Sequence, residues 1–193
     1  PRPRAEYNVV TALPDSVIGK PLKAPAGRAV AVKAAGAAGR GRPGVPGAVE
    51  APFPEKVSPQ LATLATGVPA AGRWLFEIKF DGNRVMARIR KGKASLITGG
   101  GHDWSSKMPE PVADLEKLGI QSAWLDGEIV VLDQHGTPSF NALQKAFDGG
   151  RGRESIVFFL FDVPYLEGYD LRQVELQSRR QLLKAFLDER ANE

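Results

Sequence analysis

The chain has 193 residues, no cysteine, two histidines and a net charge of +4. The lack of cysteine excludes disulfides, thiolate zinc sites and cysteine nucleophiles. The lack of cysteine suits a reducing cytoplasm; no apolar run is long enough to span a bilayer, and no basic-then-apolar leader opens the sequence. Residues 1–60 hold 9 Lys+Arg against 4 Asp+Glu while the remainder is near neutral. The basic character therefore belongs to the N-terminal segment, either as a solubilising tail or as a salt-sensitive contact with a phosphate backbone.

From Ala24 to Val49, 18 of 26 residues are Ala, Gly or Pro. Such a segment has too little apolar bulk to offset the entropy of ordering it. Residues 1–51 are expected to form a flexible basic linker, and Gly36 argues against an alanine-rich helix over Ala29–Ala38. Because the sequence opens at Pro1, it reads as a piece of something longer. Order is expected from residue 52, where Pro52, Pro54 and Pro59 favour an extended entry and Leu61 and Leu64 are the first apolar anchors.

Trp74–Phe80 is predicted as a strand, Asp81-Gly82-Asn83 as a tight turn, and Arg84–Arg90 and Lys93–Thr98 as two further strands of an antiparallel meander. Gly99–Gly101 breaks that pattern. The spacing of Val112, Leu115 and Leu118 predicts a helix over Pro109–Leu118, with Gly119 as its stop. Two short apolar strands, Ala123–Leu125 and Ile129–Leu132, are expected on either side of Asp126-Gly127-Glu128. Ser139–Phe147 and Leu176–Ala191 carry helical periodicity, and Ser155–Val163 is apolar enough for a central strand. The fold class is α+β, with largely antiparallel sheets and packed helices.

The chemistry concentrates in Glu77-x-Lys79-x-Asp81-Gly82-x-Arg84. Five fixed residue types match by chance in a chain of this length with odds of about 10⁻⁴. A lysine in an apolar strand is costly unless it is paired or used; as a nucleophile it must be neutral, and desolvation, a nearby arginine or a divalent metal would favour that form. On spacing alone, an outward-facing strand with ordinary salt bridges is an equal reading. Asp126-Gly127-Glu128 is either a turn or a hard-cation or ribose-hydroxyl site. Along Phe158–Val163, alternation puts Phe159 and Phe161 on the face opposite Phe158 and Leu160; the aromatics belong to the core unless one of them faces a cleft and stacks on a purine. His102 and His135 lack metal-ligand spacing.

Lys79, Asp81-Gly82, Arg84, Asp126-Gly127-Glu128 and Phe161-Asp162, in that order, resemble the adenylation (nucleotidyltransferase) domain of ATP-dependent DNA ligases. The stretches FPEKVSPQLATLA, GHDWSSKMP, LDGEIVVLD, FNALQKAF and FFLFDVPYLEGYDLR are similar to the ligase module of ligase D of bacterial non-homologous end joining. The resemblance covers residues 52–193 and implies an N-terminal portion of a partly ATP-grasp-like domain. It implies that Lys79 attacks the α-phosphorus of ATP, and that AMP then passes to a DNA 5′-phosphate at a nick or double-strand end. It further implies that Arg84 and Glu128 hold the ribose or phosphate region, Glu128 with magnesium or manganese. Phe161 would stack on adenine and Glu77 would read its edge. DNA, and end-joining factors such as Ku, would be partners in the bacterial nucleoid.

The pattern departs from the family in three places. Gly99 stands where an arginine usually helps bind phosphate, and Asn83 stands where an aromatic is common. The sequence also ends before the later glutamate and paired-lysine motifs and the OB-fold, so the helix from Leu176 is expected to lack a sheet to pack on and to leave apolar surface exposed. Two alternatives follow: an inactive fragment that binds DNA or a partner, or an RNA ligase or capping-type nucleotidyltransferase.

Overall fold

The two longest strands are β5 (Ser122–Val131) and β6 (Ile156–Leu166). Both are rich in β-branched and aromatic residues, which suits strands covered on two sides. They pair antiparallel at the centre of the sheet. β3 (Asn83–Arg90) joins the other edge of β5 and turns through Lys91-Gly92 into β4 (Lys93–Thr98). Beyond β6 lie β7 (Tyr169–Asp170) and β2 (Val49–Glu50), giving the order β2-β7-β6-β5-β3-β4. A two-residue strand, β1 (Val17–Ile18), also pairs with β6. This computed structural model describes residues 17–18, 44–67, 70, 76–149 and 152–191. Most of the Ala/Gly/Pro-rich stretch, with Ala29–Ala38, and also Trp74, lie outside the described residues.

One face of the sheet makes the main core. Val85, Ala87 and Ile89 of β3, Leu125 and Ile129 of β5, and Phe158 and Leu160 of β6 pack there. Three helices cover them: α1 (Pro109–Lys117), α2 (Phe140–Gly149) and α3 (Leu176–Ala191), which contribute Leu115, Leu143 and Leu183. Each fully buried side chain of this kind contributes about 1.5–3 kcal/mol. The period-2 alternation of the strands sends Arg84, Met86, Asp126, Glu128 and Phe159 to the other face. Two smaller clusters form there: Phe80, Val130 and Phe159, and separately Val57, Met86, Trp124 and Tyr165.

The β5–β6 pairing slips twice. Gly127 faces Leu160 but Asp126 faces Asp162, so Phe161 is an extra residue; a second extra residue lies between Asp162 and Tyr165, which faces Trp124. Such bulges re-aim side chains and commonly flank functional sites.

The α+β architecture and the central place of Ser155–Val163 are as the sequence predicts, and three expectations are corrected. Residues 76–80 are not a strand, and β3 takes β5 rather than this segment as its second neighbour. Ile78 and Phe80 anchor the segment by their side chains, on Phe159 and Val130, with no ladder partner among the described residues. Asp126-Gly127-Glu128 is no turn but the interior of the continuous strand β5. A Cβ on Gly127 would lie 2.3 Å from the Phe159 carbonyl oxygen, so close packing against β6 accounts for this glycine. Finally, α3 does not expose its apolar stripe: Leu183 is buried, and Leu182, Phe186 and Leu187 pack on the main core. Val49–Glu50, within the segment expected to be a linker, pairs with β7.

Candidate functional site

The site lies on the face of the sheet that carries none of the described helices. Gly82 brings the segment carrying Lys79 against β5: a Cβ there would lie 2.1 Å from the Ile129 carbonyl oxygen, so only glycine allows the approach. At that approach the Gly82 N–H donates to Glu128 Oε1 at 3.0 Å. Arg84 stands directly opposite Glu128 in the β3–β5 register, and its guanidinium reaches diagonally to Asp126. That contact is a two-pronged fork, Nε to Oδ1 at 2.9 Å and Nη2 to Oδ2 at 2.6 Å. The same guanidinium lies 5.3 Å from the centroid of the Phe161 ring, within cation–π range. Phe161 is half-buried beside Phe80 and Phe159, whose rings stack at 4.5 Å.

Electrostatics follow from burial. Asp126 is almost fully enclosed, and desolvation pushes its carboxyl above the usual range against the pull of Arg84. Glu128 is also pushed up, first by burial, while the Gly82 N–H, Lys79 and Arg84 pull it back. The Asp126 carboxylate holds the Arg84 guanidinium above its ordinary value. Lys79 is exposed, not desolvated in a strand as the sequence suggests, and its charge is felt at Glu128.

The structure thus gathers Lys79, Gly82, Arg84, Asp126, Glu128 and Phe161 on one face of the sheet, while Gly127, between Asp126 and Glu128, is buried against β6. Asp81 is exposed at the margin, close enough to influence Glu128. Glu77 is exposed and its carboxylate is held by Arg180. His102 and His135 stay in loops away from it, and Gly99–Gly101 forms an exposed loop closed by the Gly101 N–H donating to the Thr98 carbonyl at 2.8 Å. Among the described residues, no group of three or more His, Cys, Asp or Glu is arranged to hold a metal ion.

Sequence reasoning missed two residues, Arg179 and Arg180. Arg179 is buried and grips Asp162 through Nε to Oδ1 at 2.7 Å and Nη2 to Oδ2 at 2.9 Å. A cleft of about 230 Å³ opens beside this pair, lined by Ser58, Gln60, Asp126, Asp162, Arg172 and Arg179. One sequence signal was present: adjacent arginines near the start of α3, where the helix dipole favours acids.

The family described as "ATP dependent DNA ligase domain" matches residues 59–193. The Multifunctional non-homologous end joining protein LigD of Pseudomonas aeruginosa is 45% identical over 95% of this chain. The corresponding DNA repair protein LigD of Mycobacterium tuberculosis is 38% identical over 68% of it. The chain spans only 21% and 17% of those two relatives. Among solved structures, the ligase domain of M. tuberculosis LigD superposes with a TM-score of 0.52 and 36% identity, over 58% of this chain and 36% of that one. A mycobacterial DNA ligase D complexed with ATP and MES gives a TM-score of 0.51 at the same identity and coverage. A more distant relative is the DNA ligase of Natronomonas pharaonis, 31% identical over 68% of this chain and 26% of its own length. These relatives are DNA ligases and do not favour the capping-type alternative. The chain belongs to the ATP-dependent DNA ligase domain family.

Proposed function

We propose that residues 52–193 carry the nucleotide-accepting part of an ATP-dependent DNA ligase that acts in end joining. The observation that supports this best is the convergence of three separate stretches, 79–84, 126–128 and 161, on one open surface. Neutral Lys79 Nζ attacks the α-phosphorus of ATP. The bond to the α–β bridging oxygen breaks, pyrophosphate leaves, and the Nζ proton is lost to solvent. AMP then moves from the lysine to a DNA 5′-phosphate, and a 3′-hydroxyl displaces it to seal the strand.

In this reading Phe161 stacks on the adenine and Glu77 takes its edge. Arg84, pre-aimed by the Asp126 fork, and Glu128, steadied by the Gly82 N–H, face the ribose and phosphates. Asp81, Gly82 and Gly127 shape the approach. A single carboxylate such as Glu128 suits magnesium or manganese, because magnesium takes one or two carboxylates and completes its shell with phosphates and water. The bound ion would offset charge on the triphosphate. The similarity to non-homologous end joining and DNA repair proteins supports DNA ends as substrate; Ku as partner and the nucleoid as location go with that reading. Among the described residues no helix is long and apolar enough to cross a membrane.

The test is covalent labelling of the full-length protein with α-labelled ATP or GTP and magnesium. Label from ATP that disappears in Lys79→Ala is expected. Label from GTP alone would overturn the reading.

A further inference from the structure

One edge of β6 is incompletely covered by strands. β1 pairs there with Phe158 and Phe159, and β7 with Tyr165 and Leu166. Residues 160–164 between them have no strand partner on that edge among the described residues, and Phe161 is bulged away from β5 on the other. The start of α3 fills this gap. Arg180 Nη1 donates to the Phe161 carbonyl oxygen at 3.4 Å and also to Glu77 Oε1, 103 residues away in the sequence.

The neighbouring arginines do different work. Arg179 is buried and closes on Asp162 and on the Val174 carbonyl, which fixes α3 to β6. Arg180 is about 30% exposed and leaves its own helix for the segment that carries Lys79. That segment has no ladder of backbone hydrogen bonds with any of the described residues. Its C-terminal end is fixed by the Phe80–Phe159 stack and by the Gly82–Glu128 bond, and Arg180 fixes the end before Lys79.

We propose that Arg180 is a positioning residue for Lys79. By holding the Glu77 carboxylate and the Phe161 carbonyl at once, it sets the separation between the lysine segment and the aromatic ring. This deepens the ligase reading and rests on it for the roles of Lys79 and Phe161. Both bonds leave Nη1, whose two N–H directions are fixed in the guanidinium plane, whereas the three donors of a lysine ammonium rotate freely on a flexible stem. The reach of Nζ toward a nucleotide lying on Phe161 is therefore set from α3. Displacement of a reacting group by about 1 Å lowers rates by about 10²-fold.

The experiment uses the full-length protein, with Arg180→Ala, Arg180→Lys and Glu77→Gln. Peptide-resolved hydrogen exchange and single-turnover labelling by ATP are measured on each. In Arg180→Ala, exchange across residues 76–82 rises while that of β5 and β6 stays unchanged. Labelling slows by about 10- to 100-fold, with the concentration of ATP at half-maximal rate within about threefold of wild type. Arg180→Lys recovers part of the rate, and Glu77→Gln adds little on top of Arg180→Ala because the contact is already broken. Unchanged exchange across 76–82 overturns the proposal, as does a loss confined to ATP affinity or fully additive effects of the two substitutions. A wild type that takes no label overturns the ligase reading instead, and exchange then still decides whether Arg180 holds the segment.

Discussion

Two patches share the face of this sheet opposite its three described helices and differ in what covers them. Toward one end, the segment 51–58 lies across β5 and β6. Phe53 stacks on Trp124 at 6.1 Å and meets Tyr165 edge-on at 5.4 Å. The polar atoms of that patch are consumed by the same segment: Trp124 Nε1 donates to the Pro54 carbonyl at 2.9 Å and the Tyr165 hydroxyl to the Ala51 carbonyl at 3.0 Å. Toward the other end lie Lys79, Arg84, Glu128 and Phe161, with no such segment across them among the described residues. Glu128 is held by the Gly82 N–H and Arg84 by Asp126, each partly exposed, and Lys79 is exposed. The covered patch stabilises by burial, while the open patch gives up stability, since burial raises both Asp126 and Glu128. A carboxyl raised on folding contributes stability below its unfolded value and loses it as pH rises through its folded value. The open patch is thus built at a cost that a bound cation or ligand would offset.

Breaking the covered patch should cost fold, and breaking the open one should cost function. Trp124→Ala is expected to lower unfolding free energy by about 3–5 kcal/mol, read by chemical denaturation. Gly127→Ala tests the main core beneath both patches, because its Cβ would strike the Phe159 carbonyl and the Phe158 ring; a loss of about 3 kcal/mol or more is expected by the same measurement. Phe161→Ala, by contrast, should weaken ATP binding by about 1–3 kcal/mol in a titration, the range measured for base–aromatic stacking, with a smaller effect on melting. Gly99→Arg sharpens the contrast at no structural cost: a Cβ there meets nothing within 4 Å. It should leave the melting temperature unchanged and tighten binding to a 5′-phosphorylated nick several-fold at low salt.

The smallest effect concerns pH. Arg172 holds the Asp170 carboxyl, in β7 beside the covered patch, below its usual range. Its contribution is therefore present above the unfolded value of about 3.9 and is lost as pH falls through the lowered folded value. The difference in denaturation midpoint between wild type and Asp170→Asn should shrink between about pH 6 and about pH 3.

Much of the site was legible because its chemistry needs particular residue types. Lys79, Arg84, Glu128 and Phe161 stand out by identity and order; strand alternation and register bring Arg84 opposite Glu128, while a bulge presents Phe161 and the close approach at Gly82 brings in Lys79. What was not legible lies in contacts that no local pattern encodes. Asp126-Gly127-Glu128 carries two turn-formers, yet the strand runs through them because β6 passes too close for any side chain at Gly127. Trp74–Phe80 alternates as a strand should, but the described part of it is fixed by Ile78 and Phe80 side chains without backbone pairing to the described residues. Arg180 looked like part of a charged helix surface, and its meaning depends on Glu77, far away in the sequence.

The paired slips in β6 have a consequence for how this chain can change in length. Leu160 and Leu166 both point to the main core although two unmatched residues lie between them and their β5 partners, Gly127 and Ala123. Each slip alone would invert the pleat; together they restore it. A one-residue deletion between Phe161 and Pro164 would turn Tyr165 inward and Leu166 outward, stripping the covered patch. Deleting two would keep both faces but remove the bulge that presents Phe161. In this stretch the number of residues is constrained as tightly as their identity.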